Sequence, residues 1–203
     1  MLESQIKKML REEAILLSLK KLDYLSRSQL QRLHDLSGDR NARKVLDNMK
    51  QYISSFRGEN RENIYHLNKL GRERVGSEVI RQKMNQAGHY LMRAGAYIHY
   101  DGNEDWRNEL KFSVPEVVTV IPDSYFRYNQ KRHFLEVDHL QHMNKNREKI
   151  ERYKKLHATG VLQKKIGYFP RLVWVTLTES RKQQLTEWAI GLDTVIHIWN
   201  EIN

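Results

Sequence analysis

IPDSYFRYNQKRHFLEVDHLQHMNKNREKIERYKKL, Ile121 to Leu156, is the stretch on which the reading of this chain turns. The β-branched run VVTVI (Val117 to Ile121) leads into Pro122-Asp123 and predicts a strand. Tyr128-Asn129-Gln130-Lys131 has the composition of a turn. HFLEVD (His133 to Asp138) predicts a second strand, and Lys145 to His157 follows a helical period. Side chains alternate across a strand, so Phe134, Glu136 and Asp138 share one face, and Leu135 and Val137 the other. Asp123 stands at the end of the neighbouring strand. Three carboxylates gathered in this way repel one another unless a cation joins them. A hard divalent cation, Mg²⁺ or Mn²⁺, is one solution, with Asp123 and Glu136 as its ligands. Basic side chains are the other. Lys145, Lys149 and Arg152 share a face of the following helix, and Lys149 and Arg152 can pair with Glu136 and Asp138 as a framework.

These residues resemble the PD-(D/E)xK nuclease fold, in which an aspartate follows a proline at one strand end and a Glu-x-Lys pair sits on the next strand. Pro122-Asp123 and Glu136 match that motif. Asp138 stands where the motif has lysine, so the resemblance implies that the basic residue comes from the helix. Asp123, Glu136, Asp138 and Lys149 are then the candidate catalytic residues. A longer pattern resembles the replication-relaxation family of plasmids and mobile elements. It comprises an N-terminal winged helix, Pro-Asp, the Phe-Leu-Glu-x-Asp strand and the Lys-Ile-x-Arg-Tyr helix, and covers roughly Glu13 to Glu201. That resemblance implies a role in plasmid replication or DNA relaxation, with replication or relaxase proteins as partners.

The N-terminal region supports this on its own residues. Leu2 to Leu22 predicts a helix with Ile6, Leu10, Ala14, Leu17 and Leu22 along its apolar stripe, widened by Ile15, Leu16 and Leu19. Ser26 can cap a second helix, Arg27 to Leu36, with Leu30 and Leu33 inward. A third helix, Arg40 to Tyr52, divides its faces. Ala42, Val45, Leu46 and Met49 form the apolar side, leaving Arg40, Asn41, Arg43, Lys44, Asn48 and Gln51 on the other. Strands at Ile53 to Phe56 and Ile64 to Leu67 enclose a polar turn. Three helices and a basic hairpin make a winged helix-turn-helix. Arg40, Asn41, Arg43, Lys44 and Asn48 would then face DNA bases or phosphates, and Arg57 and Arg61 the backbone or minor groove.

The chain has 203 residues, 39% of them apolar, and a formal net charge of +10. That charge points to a polyanionic partner, with double-stranded DNA ahead of a membrane. Cysteine is absent, which excludes disulfides and thiolate metal sites and fits the cytoplasm. No signal-peptide core and no run of about 18 apolar residues is present. The expected fold class is α+β: a winged helix-turn-helix over residues 1–76, a helical linker over 77–100, and a small α/β PD-(D/E)xK-like domain with a mixed sheet over 101–203. In the linker, His89 and His99 lack clean metal-ligand spacing. Trp106 to Phe112 is expected to open the second domain as a strand, with Glu109 a further acidic candidate. Gly160 to Pro170 reads as a loop, Arg171 to Leu177 as a buried strand, Glu179 to Ile190 as a helix and Thr194 to Trp199 as a strand. Three functions fit. One is a DNA-binding protein with a nuclease-like domain that lacks robust cleavage. Another is a metal-dependent endonuclease or nickase. The third is a transcriptional regulator whose second domain makes a homodimer. A tyrosine nucleophile (Tyr125, Tyr128 or Tyr153) lacks an adjacent activating group, and Tyr153 reads as core.

Overall fold

The computed structural model describes residues 2–58, 61–80, 86–102 and 105–202. The protein is α+β with a mixed sheet, and its internal contacts divide it into two compact units, Met1–Ala94 and Gly95–Asn203.

In the first unit α1 (Leu2–Leu22) is followed by β1 (Leu25–Ser26), α2 (Arg27–His34) and α3 (Asp39–Asn48). The hairpin β2 (Ile53–Arg57) and β3 (Asn63–Leu67) comes next, then α4 (Lys69–Val75) and the start of α5 (Ala87–His99). The strands form an antiparallel sheet in the order β1-β3-β2, with Leu25 opposite Tyr65 and Ile53 opposite Leu67. Ser26 caps α2 as its sequence suggests. Its Oγ accepts from Gln29 N, and its own N–H donates to Gln29 Oε1, which closes a capping box. α3 stops at Asn48 instead of reaching Tyr52, because the Tyr52 and Ile53 N–H groups both turn back to the Met49 carbonyl and release Ile53 into β2.

The expected stripe of α1 is corrected. Ile15, Leu16, Leu19 and Leu22 are buried, while Ile6, Leu10 and Leu17 are exposed. α2, β3 and α4 pack on α1, and burial is confined to its C-terminal half.

The second unit carries a five-stranded sheet in the order β10-β9-β8-β7-β4. β4 (Arg107–Asn108), β7 (Ser124–Tyr128) and β8 (Lys131–Val137) are antiparallel neighbours. β9 (Arg171–Thr176) and β10 (Thr194–Ile198) continue from β8 in parallel. α6 (Met143–Ala158) and α7 (Val161–Ile166) connect β8 to β9, α8 (Glu179–Trp188) connects β9 to β10, and α9 (Trp199–Ile202) follows. Phe134, Ile150, Tyr153, Leu156, Leu172, Trp174 and Leu185 form the core between the sheet and the helices.

Three expectations change here. Val118–Val120 is β6, but it pairs with β5 (Phe112–Val114) in a separate hairpin and not with β8. The turn chemistry explains why. Asn129 and Gln130 both have positive φ, 46° and 64°, as a two-residue type I′ turn requires, so the strands that pair are those flanking it. The Trp106 to Phe112 strand is interrupted at Glu109, whose φ of 54° takes the backbone out of extended geometry. The Gly160 to Pro170 loop contains α7, held between Gly160 and Gly167 in left-handed conformations and anchored by buried Leu162.

Gly71 in α4 tests the first unit. A Cβ there would lie 2.0 Å from the Tyr52 carbonyl oxygen, whereas one at Gly38 would meet nothing within 4 Å and only its φ of +65° opposes it. Gly71→Ala is expected to cost more than the ~1–3 kcal/mol of ordinary overpacking. Gly38→Ala is expected to cost about 1 kcal/mol. Thermal melts of the two variants check this, and equal costs would contradict it.

Candidate functional site

In the first unit α3 separates its faces as its sequence period demands. Ala42, Val45 and Leu46 are buried, and Arg40, Asn41, Arg43, Lys44, Asp47 and Asn48 are all exposed. Arg57 and Arg61 are exposed at the hairpin. Two contacts that the sequence did not disclose fix these pieces. Arg27 Nη2 donates to Asp39 Oδ2 at 2.9 Å, tying α2 to the first turn of α3. Glu62 Oε1 accepts from Ser28 N at 2.6 Å and Oε2 from Ser28 Oγ at 3.1 Å, tying the hairpin to α2. The second contact follows from helix-end accounting. The capping box satisfies Gln29 N but leaves Ser28 N, and a carboxylate at a helix N-terminus is favoured by the dipole as well. Charge concentrates in this unit. Residues 1–94 hold nineteen Lys and Arg against eleven Asp and Glu, a net +8; residues 95–203 hold sixteen against fourteen, a net +2.

In the second unit the β7–β8 register, Ser124 opposite Leu135, places Asp123 across from Glu136. Asp123 Oδ2 accepts from Val137 N at 2.7 Å. Strand alternation turns Glu136 into the face that carries Phe134, where it is 1% exposed. Lys149 Nζ donates to Glu136 Oε2 at 2.5 Å, and Tyr153 OH to Oε1 at 2.7 Å. Both donors come from α6, one helical turn apart. Asp123, Glu136 and Lys149 therefore converge. Asp138 belongs to a different arrangement. Arg181 of α8 holds it through Nε at 2.7 Å and Nη2 at 2.6 Å, and Thr176 Oγ1 adds a bond at 2.8 Å. Arg181 Nη2 also reaches the Gln141 carbonyl at 2.5 Å. Arg152, expected beside Asp138, is exposed and lies 4.0 Å from Glu148 instead. Lys145 is exposed.

Burial raises the Glu136 carboxyl above its ordinary range, a push that Lys149 opposes and Asp123 reinforces. Burial works against the Lys149 ammonium, but the charges of Glu136 and Asp123 outweigh it and raise Lys149. Burial and the neighbouring Glu136 carry the Tyr153 hydroxyl well above its usual value. Burial also pushes Asp138 up, but the bonds from Arg181, Asn146 and Thr176 win and hold it low.

The donor set does not fit a divalent cation as it stands. Lys149 and Tyr153 direct protons at the two Glu136 oxygens, and a hard cation needs those lone pairs. Among the described residues no group of three or more His, Asp or Glu is arranged to hold a metal. Glu109 is exposed, and its N–H donates to the Asp123 carbonyl at 3.4 Å. Tyr125 packs on Phe112 and Phe134, and Tyr128 on Tyr100 and His133. His99 and His197 also gather around Tyr100, whose hydroxyl lies 2.7 Å from His197 Nε2.

The structure thus defines an α+β protein with one strongly basic unit and a second built on a mixed sheet with a closed acidic cluster. Residues 16–172, more than half of the chain, match the replication-relaxation family, and the protein belongs to that family. No curated protein and no solved structure matches the chain. Among the described residues no helix is long and apolar enough to cross a membrane.

The two carboxylates respond to pH with opposite sign. Asp138 has a lowered folded pKa, so its stabilisation is present above the ordinary carboxylate range and lost as pH falls through the folded value. Asp138→Asn is expected to cost roughly 3–5 kcal/mol at pH 7 by stranding Arg181, with the gap to wild type closing in acid. Glu136 has a raised folded pKa, so its contribution is full below its unfolded pKa and lost as pH rises. Glu136→Gln is expected to gain on wild type as pH rises from 4.5 to about 7, at a rate of up to about 1.4 kcal/mol per pH interval of one. Denaturant titrations of Glu136→Gln from pH 4.5 to about 7, and of Asp138→Asn from neutral pH down through the ordinary carboxylate range, decide it; a gap to wild type that stays constant in both would contradict the assignment.

Proposed function

We propose that the protein binds duplex DNA through its first unit, as a winged helix-turn-helix, in the replication or relaxation of a plasmid or mobile element. The second unit is a PD-(D/E)xK-like domain that lacks robust cleavage. The observation that carries this reading is the exposed row Arg40, Asn41, Arg43, Lys44 and Asn48 on α3, beside Arg57 and Arg61 of the hairpin. The order α1-β1-α2-α3-β2-β3 and the net +8 of residues 1–94 support it. A helix in the major groove presents such side chains to base edges while cations outside it meet phosphates. The DNA-binding part is proposed to span residues 1–76, the connecting helices 77–100 and the nuclease-like domain 101–203. The strand order of the second unit, with Asp123 just before β7 and Glu136 on the adjacent β8, supports the latter.

One observation favours a second reading, a metal-dependent endonuclease or nickase. Lys149 brings its ammonium to Glu136 from the helix, although Asp138 occupies the strand position of the motif lysine. Against it stands the engagement of both Glu136 oxygens. Incubation with supercoiled plasmid in Mg²⁺, Mn²⁺ or EDTA separates the two. A shifted but intact plasmid is expected, and nicked or linear product appearing only with metal selects the enzyme.

Binding is expected to weaken steeply with salt, because each phosphate contact releases counterions. Arg43→Ala or Asn48→Ala is expected to relax sequence preference at roughly 1–3 kcal/mol per lost base contact. Arg57→Ala and Arg61→Ala are expected to lower affinity on all sequences alike and to flatten the salt dependence. Identical footprints for all four variants on specific and random DNA would overturn the assignment of α3.

A further inference from the structure

The N-terminal half of α1 is a helix with an uncovered apolar stripe. Leu2, Ile6, Met9, Leu10 and Leu17 are between 48% and 75% exposed. At 3.6 residues per turn these five side chains, with Glu13 among them, fall within an arc of about 100°. The stripe lies beside the buried face of Ile15, Leu16 and Leu19, not on it, and no described residue covers it. An exposed apolar stripe of this kind marks an association surface.

We infer that this stripe is a homodimer interface, in which α1 packs antiparallel against α1 of a second copy of the chain. The first reason is self-complementarity. A two-fold axis between Met9 and Leu10 sets Leu2 against Leu17 and Met9 against Leu10, with the same pairs repeated on the other side, as an isologous contact requires. Leu2 to Leu17 spans about 22 Å of helix at 1.5 Å per residue. Ile6 faces Glu13, whose carboxylate is already paired with Arg74 Nε of α4 at 3.2 Å. The second reason is charge. Residues 2–9 carry Glu3, Lys7 and Lys8, a net +1, and residues 10–17 carry Arg11, Glu12 and Glu13, a net −1. Antiparallel packing sets each half against its opposite and opposes the two helix dipoles, whereas parallel packing sets like on like and Glu13 on Glu13.

The chain contains no cysteine, so introduced thiols report the register without interference. The experiment uses the full chain without DNA and therefore stands or falls independently of DNA binding. Sedimentation equilibrium is expected to show a concentration-dependent dimer. Met9→Lys with Leu10→Lys is expected to give a monomer with unchanged circular dichroism, since both side chains are exposed. Under mild oxidation Leu10→Cys, next to the axis, is expected to self-link. Leu2→Cys alone is expected not to, but to link when mixed with Leu17→Cys. A monomer at every concentration overturns the inference, as does a dimer that survives the double lysine substitution. Self-linking of Leu2→Cys, which signals parallel pairing, overturns it too.

Discussion

A carboxylate on an inward-facing strand position carries a large desolvation penalty, and Glu136 is such a carboxylate. Its neighbours on that face are Phe134 and the core around Trp174, so it has no water to turn to. The penalty is met from α6, where Lys149 and Tyr153, four residues apart, reach one oxygen each. That pairing sets the rotation of α6 on the sheet, because both side chains must point at one carboxylate while Ile150 and Leu156 remain in the core. Asp138 makes the same demand of α8 through the two-pronged Arg181 contact, which is geometrically strict. Two charged side chains leaving one end of β8 thus orient the two helices that cover the sheet.

Much of this was legible in the sequence where one element decides the outcome. The division of α3 into Ala42, Val45 and Leu46 against Arg40, Arg43 and Lys44 needs only a helical period, and the Ser26 box only local capping chemistry. Legibility failed where the outcome depends on what lies opposite. Val117 to Ile121 is a stronger strand former than Ser124–Tyr128, yet the turn at Asn129-Gln130 selects the latter as the partner of β8. A glutamine at positive φ is uncommon, so the turn signal was faint. The α1 stripe shows the converse. Ile6 and Leu10 have the period of a buried face, but the rest of the first unit covers only the C-terminal half of the helix.

At the acidic cluster the limit was distance along the chain. Glu136 and Lys149 are separated by thirteen residues within one strand–helix unit, and helical spacing was enough to nominate the lysine. Asp138 and Arg181 are separated by forty-three residues and meet only because the crossover through β9 returns α8 to the same sheet end. Arg152 had the right spacing on the right helix but points to solvent, since the helix is already fixed by the demands of Glu136.

In the proposed PD-(D/E)xK reading, Asp138 stands where the motif has lysine, and the charge at that sheet end changes accordingly. With a lysine there, Asp123 and Glu136 would face one strand-borne cation. An aspartate shifts the balance by two charges and adds a third carboxylate at the end of β8, which is costly to bury unless it is paired. Arg181 and Lys149 supply two positive charges against that shift, each from a different helix. The cation that neutralises Asp138 is thereby drawn to the α8 side, and the one at Glu136 to the α6 side. A lysine at position 138 would serve either carboxylate from a single mobile stem. Two cations locked in separate hydrogen-bonded pairs are instead part of the framework, and Lys149 can act on a phosphate only by leaving buried Glu136 with the Tyr153 hydroxyl and no cation. The proposed lack of robust cleavage rests on that cost.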